Sequence, residues 1–324
     1  MSEFTSNKIK VWIVGDSTVS AFNDSYYMPR YGWGTQLNLY FNDNVEFINL
    51  AVSGTSSKSF RRTDNYKKFI DGISDRDFLI IGFGHNDEKT GDVTFTSPIG
   101  DYNTSGSFAH SLWQYYISPA KEKGVSAILV TPIARRDASA KYEGNNIHIT
   151  KSGDYAEAIR NLANDLSIPM SDLTKETVAI AKMTDFDDNP DNDTLFQHAR
   201  TGSKELSVDD THTSLFGAAV NAYLIARDIS KSDSPLKKYL RNNVKSPLEN
   251  ANYWKEKSIN KDYIEPVYRR AEGGSDFWDK YTDDSCNVWY ATVFGDINRN
   301  SVHDKNEIFL GKNKTGDMYI RCGI

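Results

Sequence analysis

Five short apolar runs punctuate the chain as far as Asp172: Lys10–Val14, Glu46–Leu50, Phe78–Gly82, Ala127–Thr131 and Ile168–Asp172. Near-continuous apolar character, rather than strict alternation, suits strands buried on both faces, as in a parallel sheet. Between the runs, helical spacing predicts helices over Gly34–Phe41, Asp64–Ile70, Ser107–Lys123, Gly153–Leu166 and Ser214–Ile229. Strands alternating with helices predict an α/β fold, a three-layer α/β/α sandwich with right-handed crossovers. Ligands of such sheets bind outside the carboxyl ends of the strands. The first three runs lead into Gly15-Asp16-Ser17-Thr18, Ala51-Val52-Ser53-Gly54 and Gly84-His85-Asn86-Asp87, so these polar, glycine-bearing segments should open on one rim.

From about Ser230 the alternation stops and the chain becomes polar and aromatic. A turn-rich stretch, Ser232–Pro235, marks a boundary. The expected division is a catalytic domain over residues 1–232 and an extension over 233–324, the latter of unknown but β-compatible character. The acidic run Asp185–Asp193 reads as a solvated loop.

At 324 residues the chain is long enough for one large domain and an appendage. No apolar stretch approaches the roughly 18 residues of a membrane span. A net charge of -6 argues against nucleic acid or an anionic membrane as partner. The first eight residues lack the apolar core of a signal peptide, which fits a cytoplasmic start or a replaced leader. Cys286 and Cys322 both lie near the end, so neither serves a nucleophile's role in the larger domain. One disulfide in the tail and two free buried thiols remain equally open.

Ser17 directly follows the first strand. A serine hydroxyl is a poor nucleophile at neutral pH and needs a base within hydrogen-bond reach, with a third group to orient that base. Among six histidines, only His212 has a carboxylate at a fitting interval, in Asp209-Asp210-Thr211-His212. On a single turn Asp209 can accept the Nδ1 proton of His212 while Nε2 faces Ser17. Acyl transfer also needs donors aimed at the oxyanion. The candidates on the rim are the backbone N–H groups of Ser17 and Gly54 and the side-chain amide of Asn86.

Gly15-Asp16-Ser17, Gly54, Gly84-x-Asn86-Asp87 and Asp209-x-x-His212 stand in the order of the four blocks of the SGNH (GDSL-type) hydrolases, which the chain resembles over roughly residues 8–229. Gly32-Trp33-Gly34, Gly54-x-Ser56-Ser57-x-Ser59-Phe60 and Asp209-x-Thr211-His212-Thr213-Ser214 are similar to the rhamnogalacturonan acetylesterases within that superfamily. The resemblance implies a flavodoxin-like parallel sheet and a serine esterase that removes acetyl groups from pectic polysaccharide. It makes Ser17 the nucleophile, Asp209 the orienting acid, His212 the base, and Ser17, Gly54 and Asn86 the oxyanion donors. Ser17 lacks the second glycine of the G-x-S-x-G elbow, which disfavours the lipase form. Xylan and other acyl esters are alternative substrates, and a carbohydrate-binding or adhesion role for the tail is the alternative outside enzymology.

Other residues have a functional and a plain reading. Trp33 is a sugar-stacking platform or a core residue. His85 contacts substrate or packs under the oxyanion loop. Lys58 and Arg61 receive galacturonate carboxylates or belong to a solvated face. Asp87 caps the turn that follows it. In the tail, Asp296, Asn298, Asn300, Val302, Asp304 and Glu307 follow the spacing of a calcium loop, Val302 through its carbonyl, with Ser301 where glycine belongs. That segment resembles the calcium loops of dockerins, so a structural calcium is expected there or else a turn-rich loop. Catalysis itself calls for no cofactor. The expected partner is an acetylated polysaccharide, and the expected compartment is extracellular.

Overall fold

A computed structural model describes residues 8–22, 30–137, 141–184, 198–201, 207–213 and 215–241, with four strands near the C-terminus. In chain order the first elements are β1 (Ile9–Gly15), β2 (Val45–Asn49), α1 (Asp64–Gly72), β3 (Phe78–Gly82), α2 (Phe108–Leu112), α3 (Ser118–Glu122) and β4 (Ser126–Val130). A small hairpin, β5 (Ile149–Thr150) and β6 (Gly153–Asp154), leads into α4 (Tyr155–Leu166), β7 (Met170–Ser171) and α5 (Leu173–Thr184). A second hairpin, β8 (His198–Thr201) and β9 (Ser207–Thr213), precedes α6 (Leu215–Lys231).

Five strands form a wholly parallel sheet in the order β2-β1-β3-β4-β7. Alternation along each strand splits the apolar side chains between two cores. Val11, Ile13, Phe78, Ile80, Ile128 and Val130 face α6 and the start of α5. Trp12, Val14, Leu79, Ile81 and Leu129 face α1, α2, α3 and α4. Both faces are thus covered, which is why the strands read as unbroken apolar runs. The expected three-layer α/β/α sandwich with a flavodoxin-like sheet is what forms.

Three local departures have physical causes. The stretch expected as a helix over Gly34–Phe41 is two 3₁₀ turns, Trp33–Thr35 and Leu37–Leu39. Backbone bonds from Gly32 to Ser20 O and from Trp33 to Thr18 O pin it against the chain leaving β1. The helix expected over Ser107–Lys123 is broken by a π turn at Trp113–Ile117. Pro119 cannot donate to the carbonyl of Tyr115, which accepts the hydroxyl of Tyr66 at 3.0 Å instead. The strand expected over Ile168–Asp172 shortens to the two residues of β7 because Pro169 has no N–H for the ladder, although its carbonyl still accepts from Leu129.

Trp33 is a core residue, which corrects its reading as a sugar platform. It is 1% exposed and lies beneath the sheet, where a Cβ on Gly82 would come within 2.6 Å of its ring. Trp33→Ala should therefore cost about 3–5 kcal/mol of stability, seen as a lowered denaturation midpoint. A raised KM for polysaccharide with unchanged stability would restore the platform role.

Beyond Ser232 the chain stays with the sandwich as far as Arg241. A 3₁₀ turn at Pro235–Tyr239 buries Leu236 in the α6 core, Leu240 bridges Phe41, and Arg241 N–H donates to Tyr40 O. Further on, β10 (Asp279–Tyr281), β11 (Val288–Ala291), β12 (Ile308–Lys312) and β13 (Met318–Cys322) form an antiparallel sheet in that order. The acidic run 185–193, Cys286 and the calcium-type loop from Asp296 to Glu307 lie outside the described residues.

Candidate active site

β1 ends at Gly15, and Asp16 turns the chain there. Its Oδ1 accepts the N–H and the hydroxyl of Thr18 at 2.9 and 2.8 Å, and its carbonyl accepts from Val19 and Ser20. Ser17 therefore sits on a tight turn at the carboxyl end of the sheet. Among the described residues its backbone N–H has no acceptor. Asp16 is fully buried, which raises its pKa against the pull of Thr18 and of the nearby His212.

After β2, Val52 N–H donates to Gly15 O and brings the second segment to the same rim. Gly54 has φ +80 and open space around it, so glycine is needed there for backbone conformation rather than for room. Its N–H also finds no acceptor among the described residues. After β3, Gly84 (φ +147) lets the chain pass close to Pro132, which a Cβ would meet at 2.8 Å. Asn86 follows and gives one Nδ2 hydrogen to Thr55 O at 2.9 Å. The second hydrogen of that amide remains to be donated.

Asp87 caps no turn with its carboxylate. It instead ties the third segment to the second, accepting the N–H of Ser57 at 3.0 Å and the hydroxyls of Ser57 and Thr96 at 2.5 and 2.9 Å. Burial pushes it up to about 7, although the Ser57 and Thr96 donors pull the other way. Because the folded value exceeds the unfolded one, the protonated carboxyl stabilises the fold at low pH, and that contribution is lost as pH rises through about 7. Between pH 5 and 8 the native protein should lose roughly 2–3 kcal/mol from this source. Asp87→Asn, with nothing to titrate, should lack that slope; parallel stability curves for the two proteins would refute the assignment.

The fourth segment comes from the β8–β9 hairpin. Its register jumps between His198 opposite Thr213 and Arg200 opposite Val208, so residues 209–212 bulge out against a single residue. Inside the bulge Asp209 Oδ1 accepts the N–H groups of Thr211 and His212, each at 2.9 Å. His212 Nδ1 lies 2.9 Å from Oδ2 and 3.1 Å from Oδ1. With a carboxylate as its partner Nδ1 carries the proton, which leaves Nε2 as the lone pair of the neutral ring. Burial alone would raise Asp209, but the donors of His212 and Thr211 hold it well below the usual carboxylate range. The ring centroids of Phe22 and His212 lie 5.9 Å apart, with the two rings nearly perpendicular.

The structure thus gathers Ser17, Gly54, Asn86, Asp209 and His212 on one rim. Asp209 and His212 are bonded, whereas Ser17 Oγ and His212 are not hydrogen-bonded to each other. His85 is corrected from a substrate contact to a packing residue. It is 2% exposed, both ring nitrogens are enclosed without partners among the described residues, and the centroid of its ring lies 4.5 Å from that of His148, nearly perpendicular. Burial, with His148 and Arg135 nearby, keeps it neutral. Arg61 stacks on Tyr115 at 3.7 Å and donates to Lys58 O, while Lys58 is partly buried. Arg30, which sequence reading passed over, donates to Asp209 Oδ2 at 2.7 Å. It lies 179 positions away, so no local spacing could have disclosed it.

The fold and this rim define a class. Residues 11–224 match the family described as GDSL-like Lipase/Acylhydrolase. The chain belongs to that family and is a carboxylic ester hydrolase. It is 30% identical over 233 residues to the rhamnogalacturonan acetylesterase RhgT of Bacillus subtilis (strain 168), covering 72% of this chain and 94% of that protein. It is 29% identical over 227 residues to the probable rhamnogalacturonan acetylesterase YesY of the same strain, covering 70% and 94%. The crystal structure of YxiM from Bacillus subtilis shares the fold, with a TM-score of 0.53 and 21% identity over 69% of this chain and 56% of that one.

Proposed function

We propose that this protein removes acetyl groups from rhamnogalacturonan by a serine-based double displacement. The observation that carries the chemistry is the Asp209–His212 bond, which leaves Nε2 of a neutral imidazole unprotonated on the rim that holds Ser17. The pectic substrate is supported by the two Bacillus subtilis relatives, whose names specify it.

In the first half-reaction Ser17 Oγ attacks the acetyl carbonyl carbon while His212 takes its proton. The carbonyl oxygen becomes an oxyanion, and the unengaged N–H groups of Ser17 and Gly54 and the second hydrogen of Asn86 are the donors for it. Collapse expels the sugar alkoxide, which leaves as the alcohol with the proton from His212. Water then attacks the acetyl-serine, His212 again takes and returns the proton, and acetate departs. Asp209 stays ionised throughout and balances the imidazolium formed in each half. Side chains and backbone supply every step, so catalysis needs no metal or organic cofactor. A cell-wall polymer as substrate makes an extracellular site of action part of the proposal.

The test is acetate release from acetylated rhamnogalacturonan, acetylated xylan and aryl esters of acetate and octanoate. The expected order has the pectic polymer first by at least about tenfold in kcat/KM, with octanoate rejected, since misfit in an apolar pocket is worth about 1–3 kcal/mol. Equal rates on xylan, or preference for octanoate, would replace the substrate assignment.

A further inference from the structure

Arg30 lies just before Tyr31, whose backbone is bound to the loop that carries His212. Tyr31 N–H donates to Thr213 O at 2.9 Å, and the Thr213 hydroxyl donates to Tyr31 O at 2.6 Å. From that anchored point the guanidinium sets both Nε and a terminal nitrogen 2.7 Å from Asp209 Oδ2. The same oxygen takes His212 Nδ1 at 2.9 Å. Oδ1 is loaded by the N–H groups of Thr211 and His212. His212 and Arg30 therefore share one carboxylate oxygen.

We infer that Arg30 is a positioning residue for the general base: it fixes the Asp209 carboxylate for His212 and draws off part of its negative charge, so that the base survives to lower pH. The inference rests on the triad reading given above. An imidazolium bonded to a carboxylate is favoured by the full negative charge, and a guanidinium on the same oxygen opposes it. Only the neutral imidazole can accept the serine proton, so whatever disfavours the imidazolium extends activity toward acid. The side chains of Arg30 and Asp209 are only 20% and 8% exposed, so solvent screens this pair less than it would a surface one.

Among the described residues, other charges lie around His212 and its carboxylate partner. Asp16 follows β1, and His85 follows β3; both feel His212. His148, near the β5–β6 hairpin, acts on both Asp16 and His85. Asp210, on the bulge itself, lies 3.6 Å from Arg136 Nη1, which comes from the segment after β4. All of them persist in a variant at Arg30 and form a constant background.

Arg30→Gln keeps an amide donor for Asp209 and most of the packing but removes the charge. Arg30→Lys keeps the charge but loses the two-pronged geometry. The measurement is kcat/KM for an aryl acetate from pH 4 to 9 in native protein and both variants, with thermal midpoints alongside. In Arg30→Gln the acid limb should move up by roughly one pH unit with KM within about twofold. In Arg30→Lys the limb should stay in place while kcat falls roughly tenfold. An unmoved limb in Arg30→Gln, or the same displacement in both variants, would overturn the inference and leave Arg30 a structural strut. Ser17→Ala separates this from the triad reading itself: if that variant keeps its activity, the assignment of the site has failed, whatever Arg30 does.

Discussion

Ser17→Ala should abolish ester hydrolysis while leaving the protein as stable as before. The expected fall in kcat is roughly 10⁵–10⁶-fold, because nucleophile, base and orienting acid act as a unit and the loss of one removes most of what the three contribute together. Stability should hold because Ser17 Oγ makes no hydrogen bond among the described residues; the turn is held by Asp16, Thr18 and the backbone of Val19 and Ser20. The measurement is single-turnover acetate release together with a thermal melt. Retention of more than a tenth of the native rate would remove Ser17 from the mechanism. A large loss of stability would make the inactivity uninterpretable as chemistry, and Ser17→Cys, with a nucleophilic sulfur of similar shape, would then decide.

Asp209→Asn should lower kcat about 10⁴-fold. An amide at this position would present N–H groups where the carboxylate presents lone pairs. Against His212 Nδ1 it would force the ring to accept, moving the proton to Nε2 and blocking the nitrogen that must take the serine proton. It would also set a donor against Arg30, so some stability should go as well. Asp210→Asn is the matched control. Asp210 is largely exposed and lies 3.6 Å from Arg136, an arrangement of small energetic weight. Its kcat should stay within about twofold. Comparable losses at both positions would undo the assignment of Asp209 as the orienting acid.

How much of this was readable in advance varies from one element to the next. β3 was read to the residue, because a strand covered on both faces leaves no polar interruption. α5 went unread: its first turn follows directly on β7, and its apolar residues are too mixed with polar ones to declare a face. The bulge that presents Asp209 and His212 was read only as a turn before α6, since a register jump depends on the partner strand. The role of Asp87 and the choice between the two readings of Trp33 depend in the same way on distant contacts. Asp87 reaches Ser57 across 30 positions, and Trp33 is covered by the sheet that folds over it.

The amino-acid sequence by itself determined the alternation of strand and helix, the rim on which Ser17, Gly54 and Asn86 fall, and the choice of Asp209 as partner to His212. These rest on periodicity and short spacing, which are properties of neighbours along the chain. Only the tertiary structure decided which N–H groups at the rim are left unengaged among the described residues, that Trp33 and His85 are enclosed, and that Arg30 shares Asp209 with the base. Each of those depends on burial or on contacts between distant segments, where desolvation and charge act through space and sequence distance carries no information.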